Sequence, residues 1–210
     1  MAMDLLLVRH GQTDWNPLQK VMGRGAIGLN ATGVEQAKNL QRWLKNIPID
    51  VVYSSTMPRA LQTAEIILEG RDKVAVIPEE GVAEIDYGDW VGLTFKDLEE
   101  KHPAQYHAYR FQASLMAIPG GETVAGVQKR AVAAIEKIRK KYTKGQKVLI
   151  VSHADVIKAI LLHYLKLPLD HLQLLGCDNG SLSVFRFGTP WGDRLVALNY
   201  FADVSKILPW

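Results

Sequence analysis

Five residues of this chain have side chains suited to handling an anion and moving a proton: Arg9, His10, Arg59, Glu84 and His153. Arginine presents a planar donor fork that matches phosphate in a bidentate way. A histidine between arginines is held neutral, because nearby positive charge opposes its protonation. A neutral imidazole held at one nitrogen keeps the other free to attack phosphorus. A carboxylic acid with a raised pKa can then protonate the leaving oxygen.

Their places in the sequence suggest that they meet. Arg9 and His10 follow the apolar run Leu5-Leu6-Leu7-Val8, and Ser54, Ser55, Thr56 and Arg59 follow Val51-Val52-Tyr53. Glu84 comes a loop after Val74-Ala75-Val76-Ile77, which Pro78 stops, and Ser152 and His153 follow Val148-Leu149-Ile150-Val151. Short continuous apolar runs bounded by turn residues read as strands buried on both faces. In open parallel sheets, ligands bind outside the carboxyl ends of the strands. All five residues therefore belong to one edge of one sheet, and a helix starting at Ala154-Asp155 adds N–H groups to it.

Helices alternate with these strands. Val34, Ala37, Leu40, Trp43 and Leu44 give helical spacing over residues 32–45, with Thr32 and Glu35 as a capping box. Pro58 suits a first helical position, and Ala60, Leu61, Ala64, Ile67 and Leu68 carry that helix to Gly70. Further helices are predicted over about 123–142 and 154–165, and a terminal hairpin over 182–187 and 195–200. The resulting fold class is α/β: a three-layer α/β/α arrangement with a mainly parallel, doubly wound sheet. Residues 79–122 break the pattern. They gather Tyr87, Trp90, Phe95, Tyr106, Tyr109 and Phe111, and read as an insertion over the active site of a single domain spanning 1–210. The aromatics Tyr87, Trp90 and Phe95 are read as core of that insertion ahead of a substrate cage.

The chain has 210 residues, 48% hydrophobic and 22% charged, which excludes disorder. Its single cysteine, Cys177, excludes a disulfide scaffold and fits a reducing compartment. A net charge of +3 is too mild to imply nucleic acid. No apolar run reaches the ~18 residues of a membrane span, and no signal-peptide pattern stands at the start. A cytoplasmic protein without nucleic-acid or membrane partners is expected, and a homodimer is left open. The apolar tail (Phe201, Val204, Ile207, Leu208, Trp210) is read as docking on its own domain or on a partner. None of the six histidines forms a metal-binding pair by spacing, and neither a P-loop nor a GxGxxG fingerprint is present.

The segment from Leu7-Val8-Arg9-His10-Gly11 to Gln12-Thr13-Asp14-Trp15-Asn16 resembles the signature of the histidine phosphatase superfamily, the phosphoglycerate mutase-like fold. The likeness continues through Ser54-Ser55 with Arg59-Ala60, Glu84 ahead of Tyr87-Gly88-Asp89-Trp90, Pro119-Gly120-Gly121-Glu122-Thr123, and Val151-Ser152-His153. It implies that His10 is the nucleophile and becomes phosphohistidine. Arg9, Arg59 and His153 would hold the phosphoryl oxygens, with help from Asn16 and Ala154. Glu84 would protonate the leaving alcohol and then activate water. No metal and no cofactor are implied, and the partner is a small-molecule phosphate ester.

Some positions depart from the family pattern. Ala26 and Gly28 stand where Asp and Pro are common, which predicts a less rigid loop at 23–30. Ala154 and Asp155 stand where two glycines are common. Asp155 is expected to serve the helix dipole, or, if it faces the pocket, to repel a second phosphate. A phosphatase is favoured over a phosphoglycerate mutase. Glu84 is followed by Ile85-Asp86 where mutases carry Arg, and residues 79–122 hold only Arg110 for a substrate carboxylate. The bisphosphatase branch acting on fructose 2,6-bisphosphate remains open, and a non-enzymatic binding module is disfavoured because all five residues are present.

Overall fold

The computed structural model describes residues 2–71, 73–143 and 145–201. The chain runs β1 (Met3–Arg9), α1 (Ala31–Leu44), β2 (Val51–Ser54), α2 (Pro58–Leu68), β3 (Val76–Pro78), α3 (Phe95–Lys101), α4 (Pro103–Phe111), α5 (Val124–Lys141), β4 (Lys147–Ser152), α6 (Ala154–Leu165), β5 (Leu182–Thr189) and β6 (Gly192–Tyr200). The strands form one sheet in the order β3-β2-β4-β1-β5-β6. β1 to β4 are mutually parallel, while β5 runs antiparallel to β1 and β6 antiparallel to β5.

The two-residue period of the strands divides the core into two layers. Leu6, Val8, Val52, Leu149 and Val151 pack with Leu40, Leu44, Ala60, Ala64 and Ile67 of α1 and α2. Leu5, Leu7, Val51, Tyr53, Val148 and Ile150 pack on the other face with α5, α6 and the aromatic segment. Helices on both faces explain why the central strands are apolar throughout.

The expected hairpin forms, with Thr189 paired to Gly192 around a two-residue turn. Two local expectations are corrected. The first helix is capped by Asn30, whose side chain accepts from Gly33 N, so Thr32 lies inside the helix and builds no capping box. The third strand is Val76–Pro78 at the sheet edge, and Pro78 is its last residue rather than a stop before it. An edge strand tolerates proline because one side of its backbone needs no ladder partner. A 3-10 turn at Leu169–Leu174, which no periodicity announced, packs on α4 and α6. Most of the apolar tail, residues 202–210, lies outside the described residues.

Candidate active site

β1 and β4 are parallel neighbours with Arg9 paired to Ser152, so the next residue of each strand, His10 and His153, emerges at the same level. Their ring centroids are 5.1 Å apart. The backbone that carries His10 is held tightly. Gly11 N donates to Thr63 Oγ1 at 3.0 Å, and His10 N donates to Ser152 O at 3.0 Å. A Cβ on Gly11 would come within 2.4 Å of Gly33 O, so glycine is required where this loop crosses the start of α1.

The tautomer of His10 follows from its partners. Nδ1 lies 2.7 Å from Gly11 O, an atom that can only accept, so Nδ1 carries the proton. Nε2 therefore holds a lone pair, and Arg59 Nε donates to it at 3.2 Å. Burial, then the charges of Arg59 and Arg9, hold the His10 pKa well below its ordinary value. Arg59 is fully buried and its Nη2 and Nη1 donate to Gly23 O at 2.8 Å and Gly25 O at 3.2 Å. The loop at 23–30, expected to be less rigid, is thus fastened to the site by Arg59, and Leu29 N adds a bond to Gln62 Oε1.

His153 is fully buried and its pKa is lowered by burial first and by Arg59 next. Ser55 Oγ lies 2.7 Å from its Nε2 and accepts from Met57 N. Nδ1 is buried without a hydrogen-bond partner and faces Glu84 Oε2 at 3.3 Å. Arg9 Nη1 donates to Cys177 O at 2.7 Å, while its Nε is buried and unpartnered among the described residues. Buried polar atoms without a hydrogen-bond partner among the described residues, on two residues of the same sheet edge, suit a site built for a polar guest.

Glu84 sits between the two sides. Its Oε2 is 3.6 Å from Arg59 Nη2, and its Oε1 accepts from Ile85 N at 3.0 Å. Burial raises its pKa to about 7 and outweighs the pull of Arg59. Its backbone is clamped from α5 by Arg130, whose guanidinium donates to the carbonyls of Gly81, Ala83 and Glu84 and pairs with Glu122. Arg24 adds a further bond to Glu84 O at 3.2 Å. Sequence reasoning missed this clamp. Arg130 looks like one more basic residue of a helix, and only Glu122, within the Pro119-Gly120-Gly121 motif, hinted at it.

Asn16 and Ala154 both line the cavity of about 570 Å³ that opens beside Arg9 and Glu84. Asn16 Oδ1 accepts from Thr13 N at 2.9 Å, which orients its amide, and Ala154 is the first residue of α6. Of the aromatics read as core, Trp90 is fully buried, but Tyr87 and Phe95 line the cavity. Asp155 is buried too, and its carboxylate accepts from the hydroxyls of Tyr87 and Tyr109.

His10, Glu84 and His153 also place ligand atoms within 4.8 Å of one another, close enough to share a metal ion, a juxtaposition their sequence spacing hides. Arg59 decides against that use. Its guanidinium bonds the same His10 nitrogen and approaches the same Glu84 oxygen, so a cation there would meet a fixed positive charge.

The sequence model of the histidine phosphatase superfamily (branch 1) matches residues 5–200. The chain belongs to that superfamily. It is 34% identical to phosphoserine phosphatase 1 of Hydrogenobacter thermophilus, over 86% of this chain and 84% of that protein. It is 32% identical to a 2,3-bisphosphoglycerate-dependent phosphoglycerate mutase of Parvibaculum lavamentivorans, covering 90% and 92% of the two chains. Among solved structures, a phosphoserine phosphatase mutant from Entamoeba histolytica in complex with phosphoserine superimposes with a TM-score of 0.82 at 28% identity, over 94% of this chain and 96% of that one. The fold is the three-layer arrangement of the superfamily, and the enzyme class is that of phosphomonoester hydrolases of the histidine phosphatase type. No helix among the described residues is long and apolar enough to cross a membrane.

Proposed function

We propose that this protein is a metal-independent phosphatase that hydrolyses a small phosphomonoester through a phosphohistidine on His10. The observation that carries the reading is the lone pair of His10 Nε2, fixed by the Gly11 carbonyl and surrounded by Arg59, Arg9, His153 and Glu84. Nε2 attacks phosphorus and the bond from phosphorus to the ester oxygen breaks. Glu84 gives its proton to the departing oxygen. Water then loses a proton to the Glu84 carboxylate and its oxygen attacks phosphorus, breaking the P–N bond and releasing inorganic phosphate. Arg9, Arg59, His153, Asn16 and the N–H groups that open α6 at Ala154 hold the non-bridging oxygens throughout, which is where most of the rate in phosphoryl transfer originates. The residues act as one catalytic unit over 1–210 with the segment 79–122 across its mouth. Cys177, a free and buried thiol, is consistent with work in the reducing cytoplasm.

The mutase reading is favoured by the Parvibaculum relative. Against it stand Ile85-Asp86 after Glu84 and Arg110 as the single arginine of 79–122. Hydrolysis of p-nitrophenyl phosphate in EDTA, run beside interconversion of phosphoglycerates primed with 2,3-bisphosphoglycerate, separates the two. Hydrolysis without interconversion is the expected result. Fast interconversion with feeble hydrolysis would make the protein a mutase.

The pH dependence follows from the two shifted groups. Glu84 must be protonated, and that form is lost as pH rises through about 7. His10 must be neutral, and burial with the charges of Arg59 and Arg9 lowers its pKa and favours that form. kcat/KM for an alkyl phosphate is therefore expected to be high on the acid side and to fall near pH 7. A profile level up to about pH 10 would remove Glu84 from the acid role.

A further inference from the structure

The cavity holds an ion pair that the phosphoryl chemistry does not use. Asp155 is the second residue of α6, two beyond His153, and is 5% exposed. Its Oδ2 accepts from Tyr87 OH at 2.7 Å and from Tyr109 OH. Both phenols are pushed well above their ordinary pKa, by burial first and then by Asp155, so they remain proton donors. The hydroxyls fix the carboxylate and leave Oδ1 without a hydrogen bond among the described residues. Lys158 Nζ stands 3.9 Å from Oδ1, too far to donate to it, and is held at 3.2 Å by Gln173 Oε1. Asp155, Lys158, Gln173, Tyr87 and Tyr109 all line the cavity. Two opposite charges, largely removed from water and not joined by a hydrogen bond, are incompletely satisfied.

The pair lines the same cavity as Glu84, the proton donor proposed above, and Asp155 stands near enough to help raise the Glu84 pKa. In-line displacement sends the departing oxygen away from His10 and past its proton donor, Glu84. Tyr87, three residues after Glu84, is bonded to Asp155. An alcohol that leaves past Glu84 into this cavity has Asp155 and Lys158 in its walls. We propose that Asp155 and Lys158 form a leaving-group subsite for an alcohol bearing both an ammonium and a carboxylate, the ammonium on Asp155 Oδ1 and the carboxylate on Lys158 Nζ. A zwitterion sets its charges in the order opposite to the pair and satisfies both. A leaving group with a second phosphate alone meets Asp155, and one with an ammonium alone meets Lys158. The subsite rests on the phosphatase reading above.

The test is a series of four esters that share a primary alkyl leaving oxygen: O-phosphoserine, O-phosphoethanolamine, 3-phosphooxypropionate and ethyl phosphate, with p-nitrophenyl phosphate as reference. O-phosphoserine should have the highest kcat/KM, and dropping either charge should cost at least about tenfold. Lys158→Met should erase the preference for O-phosphoserine over O-phosphoethanolamine. Asp155→Asn should erase its preference over 3-phosphooxypropionate. The readout is a ratio of substrates on one preparation, so a general loss of active protein cancels, and the wild-type series decides even if a variant does not fold. Equal rates across the four esters would overturn the subsite while p-nitrophenyl phosphate hydrolysis keeps the phosphatase. 3-Phosphooxypropionate matching O-phosphoserine would overturn the role of Asp155. Failure to hydrolyse any of the five would overturn the phosphatase reading itself.

Discussion

His10→Ala is expected to lower phosphatase turnover by ~10⁴-fold or more, because on the proposed mechanism it removes the atom that forms the covalent intermediate and not merely a binding contact. The substitution should leave the fold in place. His10 gives the structure one bond to the Gly11 carbonyl and one from Arg59, while its backbone bond to Ser152 O does not depend on the side chain. The fall should appear in kcat on activated and unactivated esters alike, since both require the nucleophile. A second observable separates loss of the nucleophile from loss of structure. Wild-type protein quenched during turnover with radiolabelled substrate should carry an acid-labile, base-stable phosphoryl group, and the variant should carry none while keeping the thermal unfolding of a folded protein. A variant that retains a tenth of the activity would show that phosphorus is attacked by another group.

Glu84→Gln should divide substrates by leaving group. An alkoxide departs only with a proton, so alkyl phosphates are expected to lose ~10²- to 10⁴-fold. Nitrophenolate is a stable anion that needs little protonation, so p-nitrophenyl phosphate should lose far less in the step that cleaves the ester. The amide is nearly isosteric and can keep the bond from Ile85 N that Glu84 Oε1 now accepts. The neutral group also removes the buried titrating carboxyl that Arg59 and Arg9 act on, so the remaining pH profile should lose its fall near pH 7. Equal losses on both ester types would show that Glu84 acts on something other than the departing oxygen.

The sheet edge was legible in the sequence because parallel strands buried on both faces are written as apolar runs, and the one or two residues after each run emerge at the carboxyl edge of the sheet. Arg9, His10 and His153 were placed by that argument alone. Arg59 needed Pro58 to start a helix just before it, about one turn beyond the end of β2, which it does. What stayed hidden depends on contacts between distant segments. The clamp of Arg130 on the Gly81, Ala83 and Glu84 carbonyls joins positions more than forty residues apart. Tyr109 and Asp155 meet across 46 residues, so an acidic residue in the first turn of α6 looked like a partner of the helix dipole. The N-terminal cap of α1 was misplaced because Thr32 and Glu35 have the right spacing, while Asn30 competes for the same role with a side chain that already meets Gln12.

The place of β1 in the sheet bears on how the enzyme comes into being. The strand that presents His10 comes before the other five, yet its two neighbours are β4 and β5, which end at Ser152 and Thr189. On the ribosome it must wait for most of the chain before either side is covered, and such late pairing is slow because long loops have to close first. Arg59 and Glu84 wait with it. A chain lacking β5 therefore carries every side chain proposed for catalysis, with one edge of β1 unpaired. Until β4 and β5 are made, both edges of β1 stay unpaired.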